Sequence, residues 1–421
     1  MVVRLLRAGA LDLEATEMAL REGMHQLGSR ILEKLLAVDS QPLDSKTADC
    51  GQGHAARWLS RRPKQLLTVL GPIQIRRSYY YCEVCGTGVH PQDRQWGIEG
   101  TSFSPGVQRL MARLGSKESF EEARQDLAEL AGVQVVTKQV ERVSEQLGQQ
   151  VQGWTAAAAS DPQPVAKFYI AYDGTGVPVV PRETEGRKGK QGPAKTREAK
   201  LGCCIFTQTC VDAEGGPERG PESTSYVGAI EPAEEFGLRL YEEAERRGLA
   251  QAGEVIALGD GAPWVWNVAA GHFPTAIQIV DLYHARQHLA QAAKLIFGSD
   301  SDPQSQWLRA RTEELDAGRV EAVIGALGRS KPKDSASQAA LEREVNYFRN
   351  NAERMRYDDF RKRGLFVGSG VVEAGCKTVV GQRLKRSGMH WTVRGANAII
   401  ALRCLILSGR WESFWESRSA A

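Results

Sequence analysis

The sequence is short of several things, and each shortage excludes something. Cysteine accounts for only 8 of 421 residues and aromatics for 7%. So few cysteines exclude a disulfide-stapled secreted scaffold and point to a reducing compartment. No apolar run reaches the roughly 20 residues that span a bilayer; the most apolar stretch, Ala396 to Leu407, is broken by Arg403. The opening Met1-Val-Val-Arg-Leu-Leu-Arg7 has no signal-peptide core, because arginines interrupt it. A cytoplasmic protein with no membrane partner is expected. Nor does either sign of charge dominate, since the net charge is +3. What remains is an ordinary globular composition, 42% hydrophobic and 25% charged, long enough for two to four domains.

The near-neutral total hides a division along the chain. Between Gly51 and Cys82 there are six Lys/Arg and no acid. Between Arg361 and Arg394 there are eight Lys/Arg against one acid, Glu373. The second strip alone carries +7, so the remaining 387 residues carry −4. Segregated positive charge of this kind fits a polyanionic partner, most simply nucleic acid, more readily than a solvated basic face.

Periodicity gives the coarse organisation. Glu14 to Leu36 has helical spacing, and Val38 to Thr47 is a connector. Leu66–Leu70 and Ile73–Tyr81 read as two strands joined at Gly71-Pro72. Ser104 to Trp154 is helical in pieces. Strand patterns follow at Lys167–Asp173, Leu201–Val211 and Ser223–Ile230, then a helix from Pro232 to Arg247. Two more strands lie at Glu254–Asp260 and Ala276–Asp281, with Arg182 to Lys200 as a basic loop between the first two. Helices occupy His284–Phe297, Gln304–Tyr357 and about Val371–Leu407. Strands alternating with helices in this order predict one α/β domain.

Two modules precede it. Cys82-Glu-Val-Cys85-Gly is a knuckle that can aim two thiolates at one tetrahedral ion, and Cys50-Gly-Gln-Gly-His54 offers the other two ligands, with His90 to spare. A zinc-ribbon-like module is expected, its zinc organising Arg57, Arg61, Arg62, Lys64, Arg76 and Arg77 for phosphate contact. Phe120–Leu130, a turn, and Lys138–Leu147 with Thr137 as N-cap read equally as a helix-turn-helix or as a plain helical hairpin.

The chemistry rests on three carboxylates. Asp173 and Asp260 each end an apolar strand and are each followed by glycine, which is where open α/β sheets place their sites. Glu373 opens a helix as the lone acid among basic residues, with Lys377 one turn on. Together they suit two-metal phosphoryl transfer through Mg²⁺ or Mn²⁺. Asp281 also ends a strand, but Asp260 ends the more apolar one and is preferred. His284 and His288 share a helix face without the glutamate of a metalloprotease motif. They suit orienting the site or contacting DNA. Trp264 and Trp266 read first as core, second as a stacking platform for an unpaired base.

Several blocks together resemble a known family. Tyr172-Asp-Gly-Thr-Gly-Val-Pro, Leu258-Gly-Asp-Gly-Ala-Pro-Trp-Val-Trp-Asn, Val280-Asp-Leu-Tyr-His-Ala-Arg-Gln-His-Leu and Gly368-Ser-Gly-Val-Val-Glu are similar to the signature blocks of bacterial DDE insertion-sequence transposases. The ISKra-type group is the nearest in pattern, with mutator-like transposases further off. The resemblance implies an RNase H-like catalytic core, a mixed sheet flanked by helices, with an all-α insertion. It implies Asp173, Asp260 and Glu373 as the metal-holding catalytic acids, and Asp281 with His284 as an accessory Asp-x-x-His pair. Relatives commonly carry C-x-x-C where this chain has Cys50-x-x-x-His54.

The expected layout is therefore a helical segment at 1–48, a zinc-ribbon-like module at 49–95 and a helical DNA-binding region at 100–160. The catalytic core follows at 165–295, the all-α insertion at 296–362 and the last core helices at 363–421. The expected activity is hydrolysis at insertion-sequence ends and strand transfer into target DNA, with two Mg²⁺ or Mn²⁺ ions and a structural Zn²⁺. Expected partners are the element's terminal inverted repeats, target DNA and at least a second copy of the chain in the synaptic complex. Arg57, Arg61, Arg62, Arg76, Arg77, Lys188, Lys190, Lys377, Arg383, Lys385 and Arg386 would contact phosphates. The rival is a domesticated, non-catalytic zinc-ribbon and helix-turn-helix DNA-binding protein.

Overall fold

The computed structural model describes residues 6–7, 10–39, 46–154, 164–189, 192–211, 216–220, 222–299, 301–368 and 370–419. Within them the chain forms two compact units, Met1–Leu147 with Glu412–Ala421, and Gly148–Trp411. None of the described helices is long and apolar enough to cross a membrane.

In the first unit a short pair, β1 (Leu6–Arg7) and β2 (Ala10–Leu11), leads into α1 (Leu13–Asp39). A four-stranded antiparallel sheet then follows in chain order: β3 (Thr47–Asp49), β4 (Ala55–Thr68), β5 (Gly71–Cys82) and β6 (Thr87–Val89). The hairpin turn is Val69-Leu70 rather than Gly71-Pro72, because Thr68 pairs with Gly71 across it. The Thr68 hydroxyl fixes that turn, donating to the Gly71 carbonyl and accepting from the Leu70 N–H. The ribbon buries opposite faces at its two ends. Near the turn, Leu66, Ile73 and Ile75 pack with Ile98 under Leu32 and Leu36 of α1. At the far end Cys50, Ala56, Tyr80 and Cys82 form a second cluster. Strand alternation requires this, since Ile73 and Ile75 point one way and Tyr80 and Cys82 the other.

Helices α2 (Pro91–Gln95), α3 (Pro105–Gly115), α4 (Phe120–Ala131) and α5 (Thr137–Gly153) follow. Ser119 and Glu122 form a reciprocal capping box on α4, which ends at Gly132 in a left-handed conformation. Thr137 is the first residue of α5 rather than its cap. The Val136 N–H is taken by the Gln139 side chain, while the Thr137 hydroxyl reaches Glu121.

The second unit is built on a mixed sheet. Strand β7 (Val165–Pro178) is central. On one side it pairs antiparallel with β10 (Thr196–Val211), which in turn pairs with β11 (Pro217–Arg219) and β12 (Ser225–Ala229). On the other side lie the parallel strands β13 (Ala252–Gly259) and β14 (Ile277–Val280). Phe168 to Tyr172 is buried at every position, which only a central strand covered on both faces permits. Both arms of the β7/β10 hairpin extend further than the sequence pattern suggested, so residues 196–200 are strand rather than loop. The tip carries two-residue strands β8 (Lys188–Gly189) and β9 (Gly192–Pro193). Lys190 lies outside the described residues.

Helix α6 (Ala233–Arg246) links β12 to β13, and α7 (Pro263–His272) links β13 to β14. Then come α8 (Leu282–Phe297), α9 (Asp302–Asp316), α10 (Val320–Arg329), α11 (Gln338–Asn350) and α12 (Tyr357–Lys362). The expected single stretch from Val371 to Leu407 is broken instead. It comprises α13 (Gly370–Gly375), a π-helical turn at Cys376–Gly381, α14 (Gln382–Leu384) and, after a loop, α15 (Val393–Leu407); α16 (Trp411–Ser419) ends the chain. The loop is held by the sheet: Trp391 bonds to Pro178, the last residue of β7, and to Val180 just beyond it, which an unbroken helix could not do.

The C-terminal part of α5 packs on α15 at close range. A Cβ on Gly148 would overlap the Ala398 carbonyl, which as helix backbone cannot give way. Gly148→Ala is therefore expected to destabilise the protein by about 1–3 kcal/mol through overpacking. A thermal melt indistinguishable from wild type would refute that contact.

Candidate active site and metal centre

Strands β7 and β13 run parallel in a register that pairs Leu258 with Ala171. Two residues further along, the same register sets Asp260, just past the end of β13, beside Asp173, which lies within β7 rather than at its end because pairing with β10 carries the strand on to Pro178. The Asp173 carboxyl is pushed above its ordinary range, chiefly by burial and next by the negative charge of Asp260. Three neighbours oppose the rise: the Gly174 N–H at 2.6 Å, His284, and the Cys376 thiol, 3.7 Å from Oδ2.

The loop after Asp260 is tightly specified. Asp260 Oδ1 accepts from the Ala262 N–H at 2.9 Å, and Gly261 turns the chain at φ +97°. A side chain at Gly261 would meet the Tyr347 ring at 2.6 Å as well as the φ penalty. Tyr347, on α11, donates its hydroxyl to the Asp260 carbonyl at 2.9 Å and stacks on His288 at 3.7 Å. Burial, with Asp260, Asp281 and Glu344 nearby, raises its phenol pKa, so it stays a donor. Asn351 takes the Trp266 indole N–H at 2.8 Å and donates to the carbonyls of Gly261 and Tyr347. The helices between α8 and α12 therefore buttress the second aspartate's loop. Neither Tyr347 nor Asn351 stood out in the sequence, because their partners lie 87 and 85 residues away.

The remaining expected residues divide clearly. Asp281 is buried and serves as N-cap of α8, accepting from the N–H groups of Tyr283 and His284 at 2.6 and 3.0 Å. His284 and His288 part company: one faces Asp173, the other bonds Glu344 at 2.6 Å. Trp266 is buried beneath Arg354 and belongs to the core, whereas Trp264 is half-buried, packed against Tyr172 and Phe236 with Lys200 over its ring. Glu373 lies on α13, which packs against β7 and β10, and three residues on, Cys376 touches Asp173. The Glu373 carboxylate itself bonds Lys377 at 2.6 Å, with both side chains largely exposed. It does not converge with the two aspartates. Among the described residues the His/Cys/Asp/Glu group whose ligand atoms do converge is a different one.

That group is Cys50, His54, Cys82 and Cys85, with ligand atoms all within 4.8 Å of one another. Bonds of about 2.3 Å to a tetrahedral ion place two sulfurs about 3.75 Å apart. The Cys50 and Cys85 sulfurs are 3.7 Å apart, far beyond disulfide length, and His54 Nδ1 is 3.1 Å from Cys85 Sγ. The Cys85 N–H reaches back to Cys82 Sγ at 3.4 Å, closing the knuckle. Burial and the adjoining thiols push Cys85 up to about 12. At Cys50 the N–H donors of Gln52 and His54 outweigh burial and hold the thiol below its usual value. Crowded thiols cannot all ionise without a cation among them, so the donor set fits zinc. His90 instead bonds the Ser78 carbonyl.

The basic residues are unequal. Arg57, Arg62 and Arg76 are exposed, with Arg62 stacked 3.4 Å over Tyr79, and Arg61 is half-buried. Arg77 turns inward with Lys64 onto Asp93, leaving the surface set. Lys188 and Lys385 are exposed, Lys385 bonding Thr175 at 2.5 Å beside Asp173 on β7, and Arg386 is half-buried. Arg383 does not belong with them: it is fully buried over the Trp391 ring and cannot meet a phosphate.

Residues 234–418 match the model of UPF0236, an uncharacterised protein family. The chain is 21% identical over 333 residues to the UPF0236 protein in the vanSb 3′ region of Streptococcus gallolyticus, covering 78% of this chain and 69% of that one. Among solved structures, the Drosophila P element transposase strand transfer complex aligns over 78% of this chain and 84% of its own, at 9% identity and a TM-score of 0.27. The chain is thus similar to UPF0236 proteins over its sheet-end and C-terminal helices.

Proposed function

We propose that the protein is a DNA transposase that cuts phosphodiester bonds at the ends of an insertion sequence and joins the freed ends to target DNA. The observation that carries this reading is the pair Asp173 and Asp260, brought side by side by parallel register in a half-buried site where burial and the Asp260 charge raise the Asp173 carboxyl. Two such carboxylates call for a hard cation, and their oxygen donors suit Mg²⁺ or Mn²⁺. Support also comes from the sheet, in which the antiparallel strands β7, β10, β11 and β12 precede the parallel strands β13 and β14 with β7 central, an order that suits an RNase H-like core.

When bound, divalent ions would supply Lewis-acid activation of the attacking oxygen and stabilisation of the leaving one. The chain's own residues do the rest. Asp173 and Asp260 bind and orient, with His284 and Cys376 setting the Asp173 carboxylate and Tyr347 fixing the Asp260 loop. Glu373 completes the acid set by leaving Lys377. An exposed i,i+4 pair contributes only about 0.3–0.5 kcal/mol, so exchange for a metal or a phosphate neighbour costs little. Lys377 and Lys385 are then placed for phosphate oxygens. In the first step water attacks phosphorus at the element end and a 3′-hydroxyl leaves. That hydroxyl next attacks a target phosphodiester, displacing a target 3′-hydroxyl. The zinc ribbon and the α4–α5 pair are assigned to DNA binding.

The test is Mg²⁺-dependent cleavage and joining of DNA carrying the element's own ends. Asp260→Ala should abolish the chemistry and keep DNA binding. Asp281→Ala, which removes a helix cap, should cost about 0.5–2 kcal/mol of stability and leave residual chemistry. Binding of those ends by wild type without any cutting would instead favour the non-catalytic DNA-binding reading.

A further inference from the structure

Helix α1 is apolar on two faces. Its inner face carries Leu32 and Leu36 onto the ribbon. Its outer face carries Leu13, Leu20, Met24, Leu27, Ile31 and Val38, each with 50–69% of its surface exposed. Exposed apolar residues scattered singly mean little, and Met18 and Leu35 of α1 are of that kind, but these six follow one rule. With Glu17 and Lys34 they fall at alternating steps of three and four residues through nearly four heptads: 13, 17, 20, 24, 27, 31, 34, 38. That is a coiled-coil seam, about 40 Å long for a 27-residue helix.

The seam's two charged residues choose the partner and its direction. In a parallel pair each Glu17 would face Glu17 and each Lys34 would face Lys34. In an antiparallel pair the seam maps onto itself about its centre, setting Leu13 against Val38, Leu20 against Ile31, and Met24 against Leu27. Glu17 then meets Lys34 at both ends. Of the cations flanking the seam, Arg30 then faces Gly23 rather than another cation, while Arg21 turns inward to donate to the Leu130 carbonyl. Within the seam itself every apolar position finds an apolar partner, and Glu17 and Lys34 each find the opposite charge.

We infer that this face of α1 is a self-association surface, on which a second copy of the chain docks as a two-fold antiparallel coiled coil. A two-fold contact of this kind closes on itself and yields a dimer rather than a filament. The inference does not depend on the catalytic reading.

The test is the molecular mass of the full chain by light scattering and sedimentation at micromolar concentration, without DNA. Wild type should be a dimer, and Leu27→Asp should be monomeric with an unchanged circular dichroism spectrum, since Leu27 is more than half exposed and lies outside the cluster under α1. Glu17→Lys and Lys34→Glu should each weaken the dimer by about tenfold or more. The double swap Glu17→Lys with Lys34→Glu should restore it, because the opposite charges then meet again. A parallel pairing would show no such loss and rescue. A monomeric wild type, a dimer indifferent to Leu27→Asp, or a double swap no better than the single changes would each overturn the inference.

Discussion

Asp173→Asn is expected to abolish metal-dependent DNA cleavage and, at the same time, to raise the melting temperature of the metal-free protein. Both follow from the same geometry. The Asp173 carboxyl is raised in the folded state by burial and by Asp260. A group whose folded pKa exceeds its unfolded value favours the native state fully below the unfolded value, and that contribution is lost as pH rises through the folded one. Above that raised pKa the buried Asp173 carboxylate therefore costs stability, and asparagine removes the cost. Magnesium should do likewise in wild type by neutralising the charge. Its stabilising effect should fade as the pH falls through the raised Asp173 pKa, because protons then compete for the same oxygens. Cleavage should drop by on the order of 10³-fold or more, since groups acting as one unit are not replaced singly. Calorimetry with and without Mg²⁺ across pH, beside a cleavage assay, separates the two arms. If Mg²⁺ leaves the wild-type melt unmoved and Asp173→Asn still cuts, the acid pair is not a metal site.

Removing the metal from the Cys50/His54/Cys82/Cys85 site should have an effect as large, but on folding. The cluster behind the ribbon's far end consists of Cys50, Ala56, Tyr80 and Cys82, with Ala48, Cys85 and Val89 at its margin. Three of those seven are the ligands themselves, so little core remains once the ion is gone. Structural zinc in small modules contributes on the order of 10 kcal/mol of apparent binding energy, which is folding energy there. Protein purified without chelators should carry about one zinc per chain. Chelation or Cys82→Ser should release it and collapse amide-exchange protection between Thr47 and Val89. Protection of β7 and β13 should persist. Zinc-free protein with a fully protected ribbon would sink this assignment.

Local pattern carried much of this protein. Asp260 at the end of its strand, the knuckle spacing at Cys82 and Cys85 with Cys50 and His54 upstream, and helix α1 all depend on neighbours within a few residues, where period and turn chemistry decide. Asp173 reads as a strand end as well, but cross-strand pairing with β10 carries β7 on to Pro178. The ribbon turn at Val69-Leu70 was misplaced because Gly71-Pro72 is as strong a turn signal, and only cross-strand pairing decides between them. Register and burial were beyond any local rule. Asp260 beside Asp173 depends on how β13 slides against β7, and Asp281 became a cap because α8 begins there. Arg383 reads as one more cation in a basic strip, yet Trp391 stacks on it and the fold closes over both. Tyr347 on α11 and Asn351 just past its end reach the site from a region that the family resemblance marks only as an insertion. The seam of α1 shows the same division: its three-four spacing was present in the sequence, but which apolar residues the ribbon covers and which stay exposed was decided by packing, because burial belongs to the whole fold.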